Sequence, residues 1–518
     1  MTKSRDIASK LGDSNSNTAY GTNALKANTT GAGNVAIGLN ALQNNTTGYS
    51  NVAVGRDALS VNTIGIQNNA IGNAALRDNT TGSYNVAVGE GALASNTTGI
   101  SNTAVGRYAL LLNTVGDSNV AIGAATLQNN TTGIRNVAVG EGALYNNTVG
   151  TQNTAVGKWA LIANTTGSNN IAIGAFALDA NTTGSYNTAV GLDALGANTI
   201  GVSNVAMGDG ALASNTTGTG NTVVGAANAL SANQTGNYNT AVGKGVLAYS
   251  KSDGNTGVGY HSLLYLTTGV NNTAVGFGSL IASTVATYCT AMGYNALSSQ
   301  TTGYDNTAIG ALALNQVVTS PGNTAVGNWS LANVTSGYNV ALGWNAGNAL
   351  TTGNTNTFIG VQAGATGTNN LTTGSNNTLL GYFAATSSAS ASNTVTLGNS
   401  SIATLRCQVT SITALSDARD KTDVESIPVG LDFINKLHPV TFTWNMRDGG
   451  KVGVKDTGFI AQELMAAEDE AELAEYLQLT LRDNPEKLEA TQGRLIPILV
   501  KAVQELSAKV AELEAKVN

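Results

Sequence analysis

Charge, aromatic side chains, proline, histidine and cysteine are all scarce in this sequence. Charged residues fill 11% of 518 positions and aromatics 5%, with five prolines, two histidines and two cysteines. Cys289 and Cys407 lie far apart and read as unpaired thiols, so no disulfide framework and no metal site is expected. A lone histidine is usually structural, and His438 reads better as part of the core or functional site of its domain than as a ligand. No cofactor is expected. With 24 Lys and Arg against 31 Asp and Glu the net charge is -7. No basic patch is there to neutralise phosphates, which excludes a nucleic-acid partner. No apolar run approaches the roughly 20 residues of a membrane span, and the opening MTKSRDIASKLGDSNSN lacks the apolar core of a signal peptide. Synthesis without ordinary export, and no membrane insertion, are the expectations.

Glycine, by contrast, occurs 62 times, and its spacing is regular. Eighteen of the twenty-two intervals between recurring glycines from Gly21 to Gly398 are 17 residues long. The exceptions are steps of 18 and 16 around Gly243, 16 before Gly343, and 21 between Gly360 and Gly381. Self-similarity at a short fixed period is the mark of a solenoid.

The unit is N-[VT]-A-[VI]-G-x-x-A-L-x-x-N-T-T-G-x-x, as in residues 34–50. Val35 and Ile37 alternate with Asn34 and Ala36, a period-2 pattern that puts two apolar side chains on one face of a short strand. Gly38 and Asn45-Thr46-Thr47-Gly48 supply residues suited to tight turns. Each unit is therefore predicted to be one coil with two short strands. Its inward positions would be mostly Ala, Val, Ile and Leu. Coils stacked about 4.8 Å apart make a rod roughly 106 Å long over 22 steps. So thin a coil draws its stability from stacking and from neighbouring chains.

The many N-x-T triplets read as turn and ladder residues, with Asn and Thr bonding to backbone or to the same position one coil away. The units over residues 14–398 resemble the head repeats of trimeric autotransporter adhesins. That resemblance implies a left-handed β-roll packed beside two copies of itself. The chain departs from those adhesins in showing neither signal peptide nor membrane anchor.

Composition then changes abruptly. Residues 416–518 carry 31 of the chain's 55 charged side chains and four of its five prolines, which marks a boundary in the junction 399–415. Beyond it come Ser416-Asp417-Ala418-Arg419-Asp420-Lys421, the run Leu437 to Trp444, the run Gly458 to Glu463, and the run Leu495 to Ala502. In this order the blocks resemble the intramolecular chaperone domain of endosialidase-type phage tailspikes and tail fibres. The resemblance implies a trimerising α+β domain at 416–518 that is also a Ser-Lys autoprotease.

A serine hydroxyl needs a base, and a lysine serves as one when burial or nearby positive charge lowers its pKa. Ser416 is then the nucleophile and Lys421 the base, with Asp417 and Arg419 supporting and Arg419 the candidate nearby charge. The bland reading of these residues is a charged, solvated turn. At the end of the chain Leu499, Val503, Leu506, Val510, Leu513 and Val517 are spaced 4, 3, 4, 3 and 4, a heptad seam expected to zip chains together. A glycosidase needs two carboxylates within about 5 to 10 Å. Glu90 and Glu141 share a repeat position three coils apart, roughly 14 Å by stacking, and do not form such a pair within one chain.

The expected whole is a mainly β, homotrimeric phage tail fibre made in the host cytoplasm and carried in the virion. Residues 1–13 would attach to a tail or baseplate protein, 14–398 form the shaft, and 399–415 become the distal tip after self-cleavage at Ser416. A host surface glycan or protein is the expected receptor, with the 21-residue interval and the tip, 361–415, as its site. The alternatives are a tailspike that degrades polysaccharide and a bacterial surface adhesin.

Overall fold

The structure, a computed structural model, describes residues 15–225, 228–367, 369–402, 404–406, 416–447, 451–482, 484–486 and 488–517. The attachment peptide expected at 1–13, Cys407 and residues 407–415 of the junction lie outside them. The chain divides into two compact units, Met1–Gly322 and Asn323–Asn518.

In the first unit each coil contributes one three-residue strand, beginning Thr18–Tyr20, Val35–Ile37, Val52–Val54 and ending at Thr307–Ile309. Successive strands pair in parallel at the register of the repeat, Val35 opposite Val52 and Ala36 opposite Ala53. The β-solenoid expected from the 17-residue period is therefore present.

Two details of the coil differ from expectation. Among the described residues the second strand of the coil does not form. Around Ala41 the chain makes successive turns in which Asn40 and Leu42 adopt left-handed backbone, with φ of 59° and 49°. That conformation costs an L-residue about 1–2 kcal/mol and interrupts any extended run. Hydrogen bonds between coils offset the cost: the Asn40 N–H donates to the Thr22 carbonyl at 2.9 Å and the Leu42 N–H to the Ala58 carbonyl at 3.0 Å.

The strand also presents the opposite face to the interior. Ala36 is fully buried, whereas Val35 is half-buried and Ile37 exposed. A 17-residue coil leaves a narrow interior, and Ala36, Ala41 and Leu42 fill it to close packing. The β-branched neighbours of Ala36 are left facing outward.

Two columns of buried asparagine complete each coil of the regular region. The Asn51 amide donates to Asn34 Oδ1 at 3.2 Å and to the Gly65 carbonyl at 2.9 Å. The Asn62 amide donates to Asn45 Oδ1 at 2.8 Å, and the Thr46 hydroxyl to the Thr63 carbonyl at 3.1 Å. The triplets are thus the ladder and turn residues they were read to be. Gly38 is required by its φ of 138°. Gly48 is required by proximity, since a Cβ there would overlap Asn45 Oδ1 and the Gly65 carbonyl.

Where one column changes, its neighbour answers. Cys289 replaces asparagine, and Gln300 replaces the asparagine of the other column. The Gln300 amide lies 3.0 Å from Cys289 Sγ, and Gln300 Oε1 accepts from Asn306 at 3.0 Å. Cys289 is buried and unpaired, and burial pushes its thiol pKa up.

The second unit holds five more coils, from Thr324–Val326 to Val395–Leu397, with Val340 opposite Thr357. Its 21-residue interval is absorbed by a short excursion closed where the Leu371 N–H donates to the Gly364 carbonyl at 3.0 Å.

After the coils the unit becomes α+β. Helix α1 (Leu431–Ile434) precedes an antiparallel hairpin of Val440–Asn445 and Val452–Gly458. Helices α2 (Ala461–Glu470) and α3 (Ala474–Leu477), a short pair Thr480–Leu481 with Glu489–Ala490, and the long helix α4 (Leu495–Val517) follow. Phe433, Leu464, Ala467, Leu477, Leu479, Leu495 and Ile498 form the core. The buried Glu468 carboxylate is satisfied by the Leu479 N–H, by the Thr480 hydroxyl at 2.6 Å and by Arg482 at 3.0 Å. Among the described residues no helix is long and apolar enough to cross a membrane.

Candidate functional site

The segment from Ser416 begins with a tight turn. Asp417 accepts the Arg419 N–H at 2.9 Å and so caps the 3-10 turn Ala418–Asp420, which closes where the Lys421 N–H donates to the Ala418 carbonyl at 3.3 Å. The turn folds the five-residue spacing back on itself. Lys421 Nζ donates to Ser416 Oγ at 2.6 Å and reaches the Ser416 carbonyl at 3.5 Å. The two residues named as nucleophile and base are therefore in direct contact.

The supporting pair behaves differently from expectation. Arg419 turns its guanidinium to Asp417, with Nε 3.0 Å from Oδ1 and Nη2 2.5 Å from Oδ2. That hydrogen bond holds the Asp417 carboxyl below the usual carboxylate range. Arg419's charge is thus matched by Asp417, and the expected role of Arg419 as the cation beside Lys421 has no support in the geometry. Asp417 instead shapes the turn. Every residue from Ser416 to Glu425 is exposed on the single chain. His438 is likewise exposed rather than in the core, with Nδ1 3.4 Å from Glu463 Oε2.

Helix α4 divides along its length. Leu495, Ile498 and Ala502 face the domain core. Leu499, Val503, Leu506, Val510, Leu513 and Val517 are all exposed, between 44% and 87%. The heptad seam is thus a continuous apolar stripe that one chain leaves uncovered.

Two features escaped the sequence reading. Asp179 and Asp193 sit on successive coils with their carboxylates beside Gly196. Burial, and then the charge of Asp193, raise the Asp179 carboxyl above its usual range. The signal was hidden because the two occupy different positions of the repeat and meet only through stacking. The other feature is a cluster of aromatic rings between Tyr249 and Tyr294. Among the described residues no group of three or more His, Cys, Asp or Glu is arranged to hold a metal.

Residues 416–473 match the family model for the chaperone of endosialidase. The match begins at Ser416 and takes in the turn from Ser416 to Lys421, α1, the hairpin and α2; the Leu495 to Ala502 block lies beyond it. No curated protein matches the chain at a significant level.

Proposed function

We propose that the chain is a homotrimeric phage tail fibre whose C-terminal domain aligns three copies and then cuts itself off at Ser416. Residues 1–13 attach it to a tail or baseplate protein, and the shaft binds the host surface. The observation that carries this reading is the 2.6 Å contact of Lys421 Nζ with Ser416 Oγ inside a segment similar to the chaperone of endosialidase. Two uncovered apolar surfaces support the trimer. One is the α4 seam. The other is the third strand position, which from Ile37 to Leu397 is apolar in every coil and is exposed or half-buried.

In the cleavage step the Ser416 hydroxyl proton passes to Lys421 Nζ as Oγ bonds to the adjacent peptide carbonyl carbon. The peptide C–N bond breaks with that proton returned to the leaving amine. Water then hydrolyses the ester and restores the hydroxyl. A lysine base needs burial or neighbouring positive charge. The dyad is exposed on one chain and Arg419 is engaged by Asp417, so the burial comes from neighbouring chains and cutting follows assembly. A denaturing gel tests this. Wild type should lose the 103 residues from Ser416 to Asn518, or 102 if the cut falls after Ser416, while Ser416→Ala and Lys421→Ala stay full length. Uncut wild type, or cutting in both variants, refutes the assignment.

The Asp179 and Asp193 pair favours a second reading, a tailspike that hydrolyses glycan with Asp179 as proton donor. A carboxyl whose pKa is raised by burial beside a second carboxylate is the kind of group such hydrolysis uses as its acid. Release of reducing ends from host polysaccharide by wild type, and its loss in Asp179→Asn, would establish it.

A further inference from the structure

The residues one and six places after the repeat glycine form two outward columns of the coil. From Thr22 to Ser214, over twelve coils, neither column holds an aromatic residue. Then five appear in four coils: Tyr249 and Tyr265 in one column, Tyr260, Phe277 and Tyr294 in the other. All five are exposed, between 41% and 53%. Tyr260 and Phe277 stack at 5.2 Å and 14°, Phe277 and Tyr294 at 5.5 Å and 20°, Tyr249 and Tyr265 at 5.8 Å and 8°. The cluster begins where the repeat slips by 18 and 16 residues, and where the Asn45-type column gives way to Ser250 and Leu266. A shaft that merely repeats needs none of this.

We propose that this double aromatic column is a saccharide-binding surface, on which a linear glycan lies along the stack. The inference rests on the reading of the chain as a surface-binding fibre and supplies its ligand class and its place.

A second copy of the chain is not the occupant. The column of Tyr260 carries Arg56, Glu90, Arg107, Glu141, Lys158 and Asp209 in earlier coils. Charges in such number belong to a solvent-facing column, since packing them between chains would leave them desolvated. Chain contact falls instead to the uniformly apolar column of Ile37.

An added peptide strand is excluded by the backbone, because the N–H groups of Gly259, His261 and Leu263 already donate to Val242, Lys244 and Ser279. What remains available is ring surface together with four phenolic hydroxyls, each both donor and acceptor. Sugar rings offer the complement, C–H faces bordered by hydroxyls. The stack ends in a step: the coil after Tyr294 carries Ala311 at the same position, leaving the outer face of Tyr294 without a ring against it. The excursion closed by Leu371, where the sequence placed recognition, has no aromatic and no charged residue between Val361 and Leu371.

The test uses full-length protein on immobilised bacterial capsular and O-antigen polysaccharides, with phosphatidylglycerol vesicles in parallel. Wild type should be retained by at least one polysaccharide. Tyr260→Ser/Phe277→Ser/Tyr294→Ser should lose at least about tenfold in affinity, as three lost ring contacts imply. Tyr260→Trp/Tyr294→Trp, which keeps the rings, should retain binding and shows that the coil tolerates substitution there. Trimming residues 366–369 should leave binding intact. Equal binding by the serine variant, retention on vesicles alone, or no polysaccharide bound by wild type would each overturn the inference. The fibre reading is judged separately, by trimer and cleavage on gels and by adsorption of wild type to intact cells.

Discussion

Glu505, on α4, accepts the main-chain N–H of Leu431 at the start of α1 at 2.8 Å. This contact and the burial of Ile498 and Ala502 hold the first half of α4 to its own domain. Past Glu505 every residue of the helix that is described is exposed or nearly so. A helix that projects twelve residues with an exposed apolar seam, Leu506 to Val517, offers that seam to a partner, and on the proposed reading the partner is the same helix of other chains.

That geometry predicts the effect of charge in the seam. Leu506→Asp/Leu513→Asp places carboxylates where chains would meet and lies beyond the residues that fold the domain. The variant domain should keep its helical content, while the full chain fails to trimerise and its shaft aggregates. Sedimentation and circular dichroism report both, and a soluble β-rich trimer from this variant would show that the shaft assembles without the seam.

Cleavage should depend on the same seam. On the proposed reading, in which chain association buries Ser416 and Lys421, the double aspartate variant should remain full length although both residues are untouched. Lys421→Arg should also remain uncut, since guanidinium keeps its proton, whereas Arg419→Ala removes only an exposed ion pair and should still cut. Cleavage of the monomeric seam variant would show that the dyad is active without assembly.

The sequence was most legible where a rule acts on one residue at a time or on a fixed spacing. Period, parallel stacking and the asparagine and threonine ladders follow from spacing, whereas the pairing of Ser416 with Lys421 was implied by the family resemblance. Alternation at Val35, Ala36 and Ile37 announces a strand but does not say which face is inward. The width of the coil decides that, and a 17-residue turn has room for alanine. Left-handed Leu42 was likewise hidden, because its cost is recovered only through a bond to the next coil. Asp179 with Asp193, and the aromatic columns, become neighbours through stacking alone.

Asp179 gives a pH signature. Its folded-state pKa is raised, by burial first and by Asp193 second. As pH rises through the ordinary aspartate range the unfolded chain releases its proton before the folded one does, so this group removes stability over that window. Asp179→Asn should match wild type near pH 3 and melt higher than wild type at pH 7. A melting temperature lower than wild type at pH 7 would mean that the charged form is favoured by contacts in the coil.

The ladder makes the last prediction depend on context rather than residue type. Asn62 donates to Asn45 Oδ1 at 2.8 Å and to the Gly65 carbonyl at 3.1 Å, and it accepts from Asn79 at 2.8 Å. Leucine occupies the same column at Leu266 and Leu350, and valine at Val317 and Val334, without any such bond to lose. Asn62→Leu should therefore be costly even though the shaft already accepts leucine there, because it leaves the Asn45 carbonyl oxygen buried and unpaired. Lost and orphaned bonds together amount to about 3 kcal/mol. Amide exchange in the flanking coils should speed up by roughly a hundredfold, at 1.4 kcal/mol for each factor of ten. Val334→Asn should destabilise too, since Val317 and Leu350 on either side offer its amide no partner. If Asn62→Leu left exchange unchanged while Val334→Asn accelerated it, apolar packing rather than the amide ladder would be what holds the coils together.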